Sequence, residues 1–176
     1  MLTLRRAASM LLWTLAAIGV LCAGMWAATA AGIVKPLIVV SGSMEPGIMT
    51  GDLLIALPVP AAELEAGQVA SLPSELTGSL VTHRIESIGR EDPASLRIAM
   101  KGDANEFADV LDYIVPVEST AWVPRLTIPG GGDVVSRVTS PAVAVPLLCG
   151  LIGLVGVVWL IPPPARRGGA RVGVPA

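Results

Sequence analysis

Two long stretches without charged residues lie near the two ends of the chain and predict membrane-crossing helices. The first covers residues 10–33, after Arg6 and before Lys35. As a helix that rises about 1.5 Å per residue it would be roughly 36 Å long, enough to cross a hydrocarbon core about 30 Å thick. The second covers residues 142–161 and is followed by consecutive prolines, which end helices. We therefore expect two transmembrane helices.

The segment between these stretches, residues 35–140, has the pattern of a β domain. Polar and apolar residues alternate from Leu80 to Ile88, which places His83 and Ile85 on the same face of a strand. Six further short runs are separated by Gly, Pro and Asp residues: 37–40, 53–57, 67–71, 96–100, 113–117 and 122–128. Two prolines just after the second of these runs are expected to end it. Many short strands with Gly and Pro between them favour a compact, mainly β domain.

The basic residues predict which side of the membrane each segment occupies. Arg5 and Arg6 precede the first span, and three arginines follow the second span within residues 162–176. Because cytoplasmic flanks carry an excess of Lys and Arg, residues 1–9 and 162–176 are expected to be cytoplasmic. The β domain, residues 35–140, would then be extracytoplasmic, in a two-pass protein of the plasma membrane.

A cleaved leader is the alternative to an uncleaved first span. The triplet Ala28-Thr29-Ala30 is similar to a signal-peptide cleavage site. The apolar stretch is longer than the ~7–15 residues of a typical signal peptide, which favours an uncleaved anchor. Cleavage after Ala30 would instead release a secreted β protein, and the second predicted span argues against that outcome.

Composition agrees with a membrane protein and excludes some classes of function. Apolar residues make up 53% of the chain and charged residues only 15%, against about 25% charged in soluble domains. The net charge is −2, and without a basic tract we expect no nucleic-acid partner. No Cys and His cluster has the spacing of metal ligands, so we expect no metal and no cofactor.

One serine, one histidine and two aspartates form the candidate chemistry. Ser43 lies in a turn of small residues a short distance after the first span, and His83 is the only histidine of the chain. A serine hydroxyl needs a nearby base to become a nucleophile, and a carboxylate that orients the imidazole completes such a site. Asp103 and Asp109 both follow the strand after His83. The residues alone leave open which aspartate takes that role.

Three motifs in this order resemble those of one peptidase family. They are Ser41-Gly42-Ser43-Met44-Glu45-Pro46, continuing to Gly51-Asp52; Val81-Thr82-His83-Arg84-Ile85; and Lys101-Gly102-Asp103 with Asn105 and Asp109. Together with the apolar anchor they are similar to the type I signal peptidases of the endoplasmic reticulum, archaea and some bacteria. The third motif has Ala104-Asn105 where the family pattern leads us to expect two polar residues. Residues 122–133 match the last β motif of the family only loosely.

The resemblance implies a role for each motif residue. Ser43 would be the nucleophile, His83 the general base and Asp109 its partner, while Asp103 would be a second acid that the site or its structure needs. The hydroxyl of Ser41 and the backbone N–H of Ser43 would stabilise the oxyanion. The substrates would be secretory preproteins with small residues at the first and third positions before the cut. They would bind extended beside an edge strand at the lipid bilayer, and whether partner subunits are needed stays open.

Two alternatives remain from the sequence. A Ser-Lys dyad would use Lys35 or Lys101 as the base, and that lysine would have to be desolvated to lower its pKa. The same fold could also belong to a membrane-anchored binding or assembly factor that grips extended peptides without cutting them. Cleavage of a preprotein separates the second alternative from an enzyme.

Overall fold

The structure is a computed structural model and describes residues 2–160. The predicted cytoplasmic tail, residues 162–176, and the last residue of the second predicted span lie outside the described residues. The chain divides into two units, one of residues 18–140 and one that joins residues 1–17 with residues 141–176. The β domain and every candidate site residue belong to the first unit.

A single long helix, α1, occupies the N-terminal stretch at Leu2–Ala30. Its segment Ser9–Ala30 has 22 residues and a mean hydropathy of 1.9, which makes it long and apolar enough to cross a membrane. The helix ends because Gly32 takes a positive φ of 70°. In this Schellman turn the N–H of Ile33 donates to the carbonyl oxygen of Ala28 at 2.9 Å.

The predicted strands form one seven-stranded sheet in which all pairs are antiparallel. The strands are β1 (Lys35–Ile38), β2 (Leu53–Pro60), β3 (Val69–Pro73), β4 (Leu80–Asp92), β5 (Ser95–Lys101), β6 (Tyr113–Pro116) and β7 (Thr120–Ile128). Their order across the sheet is β1-β2-β7-β3-β4-β5-β6, so β1 and β6 are the two edge strands. The prediction of a mainly β domain is confirmed.

The prediction that prolines end the second strand is wrong. β2 continues through Pro58, which lies opposite Trp122 of β7, to Pro60, which lies opposite Thr120. On its other side β2 pairs with β1 only from Leu53 to Ala56. Proline lacks an N–H donor, but a strand tolerates it where one side has no partner strand, and that is the case beyond Ala56.

The alternating pattern of β4 correctly predicted which of its residues are buried. His83 and Ile85 are buried, whereas Arg84 and Glu86 on the opposite face are exposed. Ile85 belongs to an apolar core whose members are Ala61, Leu64, Ala70, Leu72, Ile85, Leu96, Ile98, Met100, Tyr113, Val115, Ala121 and Val123. His83 is buried on the same face two residues before Ile85, which limits the positions that its ring can take.

Two helices follow the sheet, and the first of them was not predicted. α2 spans Gly131–Thr139 and α3 spans Pro141–Leu160. Within the described residues, α1 alone passes as a candidate span, while α2 and the first part of α3 qualify only when they are counted together as one interrupted span. The second transmembrane helix at residues 142–161 therefore remains a prediction.

Candidate active site

Ser43 lies in the loop that joins β1 to β2, and hydrogen bonds at the base of this loop hold it closed. The N–H of Val39 donates to the carbonyl oxygen of Asp52 at 2.9 Å. The buried Asp52 carboxylate accepts the N–H of Met49 and the N–H of Gly130, each at 2.9 Å. The loop is thereby tied both to itself and to the segment before α2, which fixes the path of the backbone around Ser43.

The backbone of Ser43 is also attached to the loop that carries the two aspartates. Its carbonyl oxygen accepts the N–H of Ala104 at 2.8 Å. A Cβ atom on Gly102 would lie 2.5 Å from the same oxygen, closer than real side chains approach. Glycine at position 102 is therefore required by the close approach of two backbones, and this explains one residue of the third motif.

His83 connects Ser43 to Asp109. Its Nε2 lies 3.0 Å from the Oγ of Ser43, and its Nδ1 lies 2.7 Å from the Oδ2 of Asp109. The His83 side chain is only 10% exposed. With Nδ1 donating to the carboxylate, Nε2 is the acceptor that a serine hydroxyl needs. The structure brings three of the predicted residues into one line of hydrogen bonds.

Tyr113 is a fourth member of this line, and the sequence reasoning missed it. Its hydroxyl donates to the Oδ2 of Asp109 at 2.8 Å, the same oxygen that faces His83. Burial, together with the hydrogen bond to the Asp109 carboxylate, raises the pKa of the Tyr113 hydroxyl above its ordinary value, so it stays a donor. The available signal was weak: the only tyrosine of the chain, four residues after Asp109, at the start of a strand.

Asp103 lies outside this line and pairs with Arg84 instead. The guanidinium donates through Nε and Nη2 to the two carboxylate oxygens at 2.8 and 2.6 Å, and through Nη1 to the carbonyl oxygen of Gly67 at 2.9 Å. This bidentate contact lowers the pKa of the Asp103 carboxyl below its ordinary value. Arg84 is the neighbour of His83 on β4, so the pair joins the aspartate loop to the strand that carries the imidazole.

A comparison with curated proteins finds relatives of this chain. Over 100 residues the chain is 33% identical to "Signal peptidase complex catalytic subunit SEC11C" of Homo sapiens, Mus musculus and Canis lupus familiaris. The chain is homologous to SEC11C. This homology confirms the resemblance to the signal peptidases of the endoplasmic-reticulum type.

The extent of the homology is limited. The matched stretch is 56% of this chain and 50% of SEC11C, so the chain spans about half the length of the curated relatives it matches. No family model matches the chain.

Ser41, the remaining predicted residue, lies beside Ser43 of the same motif. Its Oγ is 3.4 Å from the Oγ of Ser43. A hydroxyl at that distance from the nucleophile can donate a hydrogen bond to the oxyanion that forms when Ser43 attacks a carbonyl group. The position is compatible with the oxyanion role that the resemblance implies.

The two lysines of the alternative dyad have other surroundings. The Nζ of Lys35 lies over the ring of Trp122, 4.7 Å from its centre. Lys101 lies opposite Arg84 in the pairing of β4 with β5. Among the hydrogen bonds of residues 2–160 none joins a lysine to Ser43, whereas His83 has such a bond.

A cavity of about 260 Å³ leads to Ser43. One wall is formed by β1 and the residues after it, and the other by the beginning of β4. Its lining includes Leu37, Val39, Ser41, Leu80, Val81 and His83. The cavity is small and mainly apolar, and it follows the edge strand β1.

In residues 2–160 no group of three or more His, Cys, Asp or Glu side chains is arranged to hold a metal ion.

We predict that the ion pair of Asp103 with Arg84 stabilises the fold in a pH-dependent way. Because the folded-state pKa of Asp103 is lowered, the stabilisation is present above the unfolded value near 3.8 and is lost as the pH falls through the folded value. Asp103→Asn should lower the free energy of unfolding at neutral pH by at most about 1 kcal/mol, since the pair is partly exposed.

Chemical unfolding of the detergent-solubilised protein at neutral pH and at about pH 2 would measure this effect. Arg84→Gln is the matched variant and should lose a similar amount. A difference between Asp103→Asn and the native chain that is as large at acid pH as at neutral pH would contradict the prediction.

Proposed function

We propose that the chain is a membrane-anchored serine endopeptidase that removes signal peptides from secretory preproteins. The observation that carries this proposal is the line of hydrogen bonds from Ser43 through His83 to Asp109 in a chain homologous to a signal peptidase catalytic subunit. An ordinary structural histidine would not need both a serine and a half-buried carboxylate on its two nitrogens.

The chemistry would proceed as acyl transfer to serine. His83 accepts the proton of the Ser43 hydroxyl through Nε2 as Oγ attacks the carbonyl carbon of the peptide bond. Asp109 stabilises the imidazolium that forms and keeps Nδ1 protonated. His83 then gives its proton to the departing amine, and the same imidazole activates the water that hydrolyses the ester on Ser43.

The oxyanion of the tetrahedral intermediate would be held by Ser41. Its hydroxyl and the backbone N–H of Ser43 are the donors that we propose for the developing negative charge. A donor aimed at this charge contributes more to the transition state than to the bound substrate, and therefore acts on kcat.

The side of the substrate before the cut would lie in the 260 Å³ cavity. An extended peptide can pair with the free side of the edge strand β1, and the cavity between β1 and β4 then receives its side chains. Its limited volume favours small side chains next to the cut.

The first helix would bring the enzyme and its substrate into the same thin layer. Ser43 follows the end of α1 at Ala30 by only 13 residues. If α1 spans the bilayer, a cleavage site that emerges from the bilayer lies at the same distance from the membrane as Ser43. The local concentration of the cleavage site near the nucleophile is then raised. We propose a two-pass protein of the plasma membrane with the β domain outside the cytoplasm.

A cleavage assay tests the function. The detergent-solubilised protein is incubated with a purified preprotein, and the product is examined by intact mass and N-terminal sequencing. We expect a single cut after a small residue that is preceded, two positions earlier, by another small residue. Binding of the preprotein without cleavage would favour the binding or assembly factor, which is the alternative from the same fold.

The oxyanion role of Ser41 makes a separate prediction. Ser41→Ala should lower kcat by about 10²- to 10³-fold and leave KM nearly unchanged, because the lost hydrogen bond is made only in the transition state. Steady-state kinetics on one preprotein measure both constants. Ser41→Thr is the matched control, since it keeps the hydroxyl, and it should retain more activity. Equal kcat values for Ser41→Ala and the native chain would contradict the role.

A further inference from the structure

A second and larger cavity, of about 670 Å³, also borders His83. It lies between two loops, residues 74–79 after β3 and residues 105–112 before β6. Its volume is within the range of about 300–1,000 Å³ that ligand clefts occupy. The acyl-transfer steps above do not use it.

The two cavities meet at the catalytic candidates. Thr77, Val81 and His83 line both of them. The smaller cavity also contains Ser43, and the larger contains Asp109. A peptide that fills the smaller cavity and reaches Ser43 is therefore next to residues that also line the larger cavity.

The proposed reaction starts the rest of the substrate beside the imidazole that borders both cavities. His83 must protonate the departing amine, so the residue after the cut has to begin near its Nε2. Four residues of extended chain cover about 13 Å at ~3.3 Å each. That length is sufficient to carry the start of the mature segment from His83 along the larger cavity.

The lining indicates which side chains would fit. Leu76, Val110, Leu111 and Ile114 all face the cavity and are each at least half exposed. Apolar side chains that are exposed in a concave site gain free energy when a ligand covers them.

The charged lining is acidic. Glu75, Asp109 and Asp112 belong to it. Of these, Asp112 is 3.4 Å from the Nη1 of Arg97, and Asp109 faces His83. An acidic ligand would meet like charge here, whereas a basic one would not.

We propose that this cavity binds the first residues of the mature protein, those immediately after the cut. It accepts apolar and basic side chains there and disfavours acidic ones. The inference rests on the proposed function, and it adds a specificity determinant on the side of the substrate that stays with the secreted protein. Leu111 and Glu75 are the residues assigned to it.

The test uses the full chain in detergent with two preproteins that differ only in the first four residues after the cut. One carries leucine and lysine there, and the other carries aspartate. The native chain should cleave the first with a kcat/KM roughly tenfold higher. Leu111→Ser should reduce this preference, and Glu75→Lys should reduce it through faster cleavage of the acidic substrate.

Two control variants make the test specific. Phe107→Ser alters an exposed apolar side chain of the same loop that lines neither cavity, and Glu118→Lys alters an exposed carboxylate elsewhere. Both should keep the native preference. Equal kcat/KM for the two preproteins, or the same change in Leu111→Ser and Phe107→Ser, would overturn the inference and leave the proposed function standing. No cleavage of either preprotein by the native chain would overturn both.

Discussion

Ser43→Ala and His83→Ala are each expected to lower kcat/KM by at least about 10⁴-fold, because neither group can act without the other. The Oγ of Ser43 and the Nε2 of His83 are 3.0 Å apart. The double variant should be hardly slower than either single variant, since the two residues perform one step together. Initial rates of preprotein cleavage measure all three effects, and a folding control is given by the thermal unfolding of each variant.

Lys101→Ala is the matched comparison for this prediction. It removes a lysine from β5 without touching the hydrogen bonds of His83, so cleavage should stay within a few-fold of native. The reverse pattern, with His83→Ala active and Lys101→Ala inactive, would contradict the proposal and favour a Ser-Lys dyad.

Asp109→Asn is expected to lower kcat by about 10³- to 10⁴-fold with little change in KM. An amide at this position can donate to Nδ1, which then becomes the acceptor and leaves a proton on Nε2, where the serine needs an acceptor. Tyr113 and Nδ1 both contact the Oδ2 position, so an amide nitrogen placed there would also cost the Tyr113 hydroxyl its acceptor. An amide oxygen placed there would keep the tautomer but lack the negative charge that stabilises the imidazolium.

The comparison with Asp103 separates a catalytic role from a structural role. Asp103 acts through its pair with Arg84, so Asp103→Asn and Arg84→Gln should change kcat by similar factors. Within residues 2–160 no arginine forms an ion pair with Asp109 that could serve as such a matched variant. Single-turnover rates of the three variants decide the matter. If Asp103→Asn removed activity as fully as Asp109→Asn while Arg84→Gln left it native, Asp103 would belong to the chemistry and the assignment would be wrong.

The sequence predicted the strands well because their signals are local. The alternation from Leu80 to Ile88 identified the buried face of β4, and Gly and Pro residues marked the turns between the other strands. Pro60 shows the limit of such local rules. Whether a strand tolerates proline depends on whether a neighbouring strand needs its N–H, and that is a property of the sheet and not of the segment.

The site was predictable in part for the same reason. Ser43 and His83 could be named because the chain has a single histidine and a serine in a characteristic motif. The choice between Asp103 and Asp109 depends on how the loop after β5 folds back over β4, and residue types do not specify that path. Tyr113 was missed because a tyrosine that begins a strand is usually a core residue, and only the position of its hydroxyl distinguishes this one.

The most direct test of the account is the cleavage rate of one preprotein under single-turnover conditions, with the detergent-solubilised chain in excess and the shortened product followed by intact mass. The account predicts that the native chain converts the preprotein to a single product and that Ser43→Ala, prepared in parallel, forms none within the same time. Equal conversion by the two proteins would show that the hydroxyl at position 43 takes no part in the reaction.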